Sequence, residues 1–181
     1  MNEDLYQRII SQRGRMGKIG ERIPGYRGYQ DAQVRREADH LLREHIAGQF
    51  QQQLNRLPDI ESTLLENSGL EWLDNTRDVK SRMTTFIERI RTAARGYSGL
   101  FANIKVGSEE LAKLYAFDEA MLRYVDDFAA AIDTLQETAS SGEGIGSAIA
   151  ALKALVSEAD QAFSLRSDVI LGLAGAEPTA F

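Results

Sequence analysis

Glu37 and His40 stand at Glu-x-x-His spacing, which sets a carboxylate and an imidazole on the same side of a helix, as in the ligand sets of di-iron bundles. Such a centre needs a second copy of the motif and a carboxylate from each of two further helices. The chain has two histidines, His40 and His45, and the residue three before His45 is Leu42. The second motif is therefore missing. Glu37, His40 and Glu44 also fall opposite the apolar stripe of their helix. The spacing is read as a surface coincidence, and neither a metal site nor a cofactor is assigned.

Three other polar residues carry more weight because of where helical periodicity puts them. His45 falls among Val34, Ala38 and Leu41; Asp118 falls between Leu114, Leu122 and Val125; Arg166 falls among Leu155, Ala159, Ala162 and Val169. A charge on a buried face is tolerated when it is paired and hydrogen-bonded. The expectation is that Asp118 pairs with Arg166, with His45 as an alternative or additional partner. The competing reading places all three at helix margins, in reach of water. A pocket beside them would make a ligand-binding or catalytic cluster. Nothing else suggests an enzyme. There is no Gly-x-Ser-x-Gly elbow, neither histidine stands as an obvious base, and Glu119, Arg123 and Asp127 form an i, i+4 ladder rather than a carboxylate dyad.

The stretch "RGRMGKIGERIPGYRGY", Arg13 to Tyr29, raises phosphate chemistry. Lys18 is followed by Ile19 and no glycine stands at position 12, so the P-loop spacing fails. Its two Gly-x-x-Gly steps match the RNA-clamping loop of KH modules, which need strands that this sequence does not offer. What remains is a basic amphipathic arm. Leu5, Ile9, Met16, Ile19 and Ile23 share one broad face, flanked by Arg8, Arg15, Lys18 and Arg22. Such an arm suits its own helices, a partner, or an anionic membrane on which Ile9, Met16, Ile19 and Ile23 would insert while Arg15, Lys18 and Arg22 meet headgroups. "IPGYRGY" reads as a turn, since proline presets one φ angle and glycine permits a positive one.

Composition narrows the class. With 43% hydrophobic and 27% charged residues, the chain can bury a core. The net charge of −6 disfavours nucleic-acid binding by the whole surface. Residues 1–30 nevertheless carry six basic and three acidic groups, so the remainder is correspondingly more acidic. The absence of cysteine removes disulfides, thiolate metal sites and cysteine nucleophiles. No apolar run approaches the roughly 20 residues of a membrane span, and the first 30 residues lack a secretory apolar stretch, so a cytoplasmic protein is expected, with peripheral membrane attachment as an option.

The periodic signal is helical throughout. A short helix is expected near residues 3–13 with a weaker one after it. Longer helices follow from Asp31 to Leu57, Leu70 to Phe101, Ser108 to Ala139 and Ser147 to Leu173, with a short piece from Ile60 to Glu66. At "IPGYRGY…VRREADHLLRE" the sequence resembles short bacterial all-helical proteins that carry Ile-Pro-Gly-Tyr-x-Gly-Tyr followed by Arg-Arg-Glu-x-Asp. That resemblance implies a similar helical lead-in and turn, and it carries no activity or ligand over to Arg35, Arg36, Glu37 or Asp39.

The expected fold is all-α: an up-down-up-down four-helix bundle of long helices over residues 31–173, preceded by a short amphipathic N-terminal helix within a basic arm (1–30) and followed by a frayed tail (174–181). The expected function is a non-enzymatic helical interaction or scaffold protein. Its partner would be another protein, a further copy of itself, or an anionic membrane surface met by the arm. The alternative is the ligand-binding or catalytic bundle around His45, Asp118 and Arg166.

Overall fold

The computed structural model describes residues 2–12, 14, 16–29, 34–93 and 108–173, and among them the regular structure is entirely helical. The order is α1 (Asn2–Ile10), α2 (Met16–Arg22), α3 (Arg35–Leu54), α4 (Leu57–Ser68), α5 (Leu73–Thr92), α6 (Ser108–Ser141) and α7 (Ile145–Leu173). None of the described helices is long and apolar enough to cross a membrane. Arg15, the cap expected at Asp31, the end of the helix expected to reach Phe101, and the tail from residue 174 lie outside the described residues.

α3 and α4 behave almost as one rod. Asn55 and Arg56 keep helical backbone angles (φ −69°, ψ −11° and φ −83°, ψ −21°), so the chain bends without reversing. A helix ending at Leu57 and a short piece from Ile60 were expected on either side of Pro58. The structure ends α3 at Leu54 and starts α4 at Leu57, with Pro58 in its first turn, where its missing N–H has no helical partner to lose. α4 ends at Gly69, whose φ of 67° suits a residue without Cβ. The loop expected over Ser140–Gly146 is shorter than that, because α6 runs on to Ser141 and α7 begins at Ile145.

Side-chain bonds give the direction of each packing. Arg43 of α3 reaches the carbonyls of Ile90 and Arg91 while Thr76 donates to Glu61 of α4, so this rod and α5 are antiparallel. Arg56 meets Asp133 and Gln136, and Asn67 meets the Ala139 carbonyl, so the rod runs parallel to α6. Lys153 on Asp78 and Arg89 on Asp160 and Ser164 make α5 and α7 parallel. Tyr124 on Glu158 and Asp118 against Arg166 make α6 and α7 antiparallel. Where these faces meet, one phenylalanine comes from each of four helices. Phe50 lies edge-on to Phe86 and Phe128 with ring centroids 5.4 and 5.7 Å away, and Phe86 lies edge-on to Phe163 at 6.2 Å. Such tilted pairs add to the energy of burial itself.

The N-terminal arm is a strap on this body. α1 lies across α6 and α7, and α2 lies on α6. Leu5, Ile9, Ile19 and Ile23 are buried, whereas Met16 is 39% exposed. The break between Ile10 and Met16 resets the helical register, so the single face expected across both pieces does not include Met16. The strap closes with a turn in which the Tyr26 N–H donates to the Ile23 carbonyl at 3.1 Å, with Pro24 second and Gly25 third at φ 82°, the pattern of a type II turn.

The glycines of the strap are not equivalent. A Cβ on Gly14 would run into the backbone of Tyr115 and Ala116, whereas one on Gly17 would meet open space. Gly17→Ala should therefore raise stability by about 0.5–1 kcal/mol, through a better helix and a less free unfolded chain. Gly14→Ala should lower it, and paired urea melts of the two variants check both signs.

Candidate functional site

The polar residues of the core converge on Arg166, which is wholly buried on α7. Its Nε donates to Asp118 Oδ1 at 2.6 Å, and its Nη2 donates to Asp39 Oδ1 at 2.8 Å and to the Tyr29 hydroxyl at 2.9 Å. Asp39 Oδ2 accepts from Arg43 Nε at 2.7 Å, one turn along α3, and Asp118 Oδ2 accepts from the Tyr26 hydroxyl at 3.3 Å. Each of the four carboxylate oxygens thus has a donor. Two aspartates face two arginines, a balance that low-dielectric burial demands. Among the described residues, Arg166 Nη1 is a fully buried side-chain nitrogen with no hydrogen-bond partner.

The strap's last turn completes the cluster. The Tyr29 N–H donates to the Tyr115 hydroxyl at 2.9 Å, and the Tyr29 carbonyl accepts from Arg35 Nε at 2.8 Å. The Tyr29 ring stacks on Tyr115 at 5.5 Å and meets the edge of Tyr26 at 5.9 Å. Gly28, at φ 75°, allows this approach, since a Cβ there would strike Met16 and the Tyr115 hydroxyl. Burial, reinforced by Asp118, holds the Tyr29 hydroxyl well above the usual phenol range. Burial also pushes the Asp118 carboxyl up, against the pull of Arg166. Burial alone would lower the Arg166 guanidinium, but its carboxylate neighbours outweigh that and hold it well above its ordinary value. These groups serve one another as hydrogen-bonding partners inside the core.

The three residues singled out by periodicity part company here. Asp118 and Arg166 meet. His45 lies half-buried at the edge of α3, and no described hydrogen bond joins it to either. The buried face of α3 runs through Arg35, Ala38, Asp39, Leu42, Arg43, Ile46, Ala47, Phe50 and Leu54, and leaves Val34, Leu41 and His45 at its half-buried margin. Asp39 and Arg43 occupy that face, and counting apolar residues alone hides it. Their spacing to Leu42, Ile46 and Phe50 is the signal that could have found them. Glu37 and His40 are exposed, and no group of three or more potential metal ligands occurs among the described residues.

The strap's bases lie on acids of the body. Arg22 forks onto both oxygens of Asp126 at 2.6 and 2.7 Å, Lys18 stands 3.5 Å from Glu119, and Arg8 pairs with Glu158, which also accepts from the Tyr124 hydroxyl. These pairs are partly exposed, and each adds little stability alone. Three open hollows of about 400, 270 and 240 Å³ lie between α1 and α7, between α5 and α7, and beside α1 and α6. Asp39, Asp118 and Arg166 line none of these three.

Asp118→Asn and Arg166→Met should each cost about 3–5 kcal/mol, because each leaves a buried charge without its partner. The double variant should be more stable than the sum of the two losses predicts, and a denaturant double-mutant cycle reads that coupling. His45 is held below its ordinary value by burial and then by Arg22. The unfolded chain therefore binds its proton more readily, and His45 should contribute stability above about pH 6.5 that is lost as pH falls through its lower native value. His45→Gln should flatten this part of the stability–pH curve. No protein-family model, curated protein or solved structure matches the chain.

Proposed function

We propose that this chain is a non-enzymatic helical interaction protein of the cytoplasm: a four-helix bundle of alternating helices, formed by the α3–α4 rod, α5, α6 and α7, with the basic strap as its mobile element. The observation that carries this reading is where the buried polar groups are used. The carboxylates of Asp118 and Asp39 are saturated by Arg166, Arg43 and Tyr26, while Tyr29 ties the strap to the same arginine. Bonds of this kind hold the end of the strap in place, whereas α1 and α2 are held by apolar burial and partly exposed ion pairs. The ligand-binding or catalytic alternative would need a route to Arg166, and the three hollows described do not reach it.

A strap whose Ile9, Ile19 and Ile23 are buried has to leave its seat before it can meet a partner or an anionic membrane. α1 and α2 are nine and seven residues long, and helices that short do not persist alone in water. Release of the strap is therefore a local unfolding. Native-state hydrogen exchange tests this directly. The amides of α1 and α2 should exchange through an opening at least about tenfold more populated than the one that exposes the centres of α6 and α7. Strap amides that exchange only with global unfolding would refute the reading.

A further inference from the structure

We infer that the seat of the strap is an interaction surface for the strap of a second copy of this chain, so that two molecules associate by exchanging residues 2–23. The inference rests on the reading of the strap as a segment that can leave its seat.

The seat is built to recognise one kind of segment, a short basic amphipathic helix pair. Leu5 and Ile9 of α1 are buried where that helix lies on α6 and α7, and Ile19 and Ile23 are buried where the second piece of the strap lies on α6. The rim of the seat presents Glu119 and Asp126 from α6 and Glu158 from α7, which receive Lys18, Arg22 and Arg8. Glu119 and Asp126 lie two turns apart on one face of α6 and receive Lys18 and Arg22, which lie one turn apart on the strap. Apolar filling and charge order thus both specify the chain's own strap. A second copy carries the identical segment, so every one of these contacts can be remade between molecules without a new interaction. The two arrangements differ only in the effective concentration of the strap and in the path of its hinge.

The hinge is suited to that change. Pro24 to Gly28 holds two glycines at positive φ, 82° at Gly25 and 75° at Gly28. Glycine has a wide choice of other backbone conformations, so Gly25 and Gly28 let the turn open once Tyr26 releases Asp118. Once opened, the strap exposes its isoleucines to water, and the hydrophobic effect drives it onto whichever seat is vacant.

The absence of cysteine makes a clean test possible on full-length chains. Arg22→Cys and Asp126→Cys each introduce a single thiol, one on the strap and one on the seat. The two variants are mixed at high concentration, warmed enough to open the strap, cooled, and treated with a short bismaleimide cross-linker. The expected product is a covalent heterodimer of the two variants, at least fivefold more abundant than the homodimers formed by either alone. A chain carrying both thiols serves as the reference for cross-linking within one molecule. No excess of heterodimer, beside efficient internal closure of that double variant, would overturn the inference. So would light scattering that finds only monomer in the unaltered chain after the same cycle. Strap amides that open in hydrogen exchange without any heterodimer would leave the interaction reading standing and remove the second copy as its partner.

Discussion

The guanidinium of Arg166 is the point on which the architecture turns. It reaches α6 through Asp118, α3 through Asp39, and the strap through Tyr29, all from the middle of a fully buried side chain on α7. Apolar packing alone is permissive about how helices slide and rotate. A buried arginine is not, because any register that separates it from its carboxylates strands a charge in a medium that cannot solvate it. Arg43 extends the same constraint to α5 by reaching the carbonyls of Ile90 and Arg91. One connected set of charged hydrogen bonds therefore ties together α3, α5, α6, α7 and the strap.

Around that set, ordinary hydrophobic chemistry completes the core. The four phenylalanines pack beside the charged cluster, with Phe163 within one turn of Arg166 on α7. The turn that ends the strap lies over the cluster, while α1 reaches farther along α7 to Glu158. The two tyrosines of that turn supply both the rings that continue the apolar core and the hydroxyls that the charges require, a combination that suits tyrosine to a boundary between the two.

Much of the helical content was legible from periodicity, because long amphipathic segments state their period many times over. The pairing of Asp118 with Arg166 could be framed from the same periodicity, since each interrupts an otherwise apolar stripe. The other half of the cluster was hidden. Asp39 and Arg43 are two charges on one helix face, and a face judged by apolar count shifts toward Leu41 and His45 when they are scored as surface. The bond from Arg166 to the Tyr29 hydroxyl was hidden for a different reason, since a turn has no period and this partner lies far away in sequence. Pro58 marked the junction between two helices but not its limits, because proline is compatible with the first turn of a helix and does not fix the residue at which that helix starts. Met16 misled because a break of a few residues erases the phase relation between two short helices.

The placement of the strap also sets the order in which the molecule can be completed. Arg8 meets an acid 150 residues further along the chain, and Tyr29 meets an arginine 137 residues further along. During synthesis the basic strap emerges well before α6 and α7, the helices on which it rests. Throughout that interval its isoleucines have no seat within their own chain, and the contacts that close the structure are among the longest-range it contains. The strap can therefore dock only after α6 and α7 have been made. Until then a nascent chain presents to its surroundings the surface that the finished protein keeps covered.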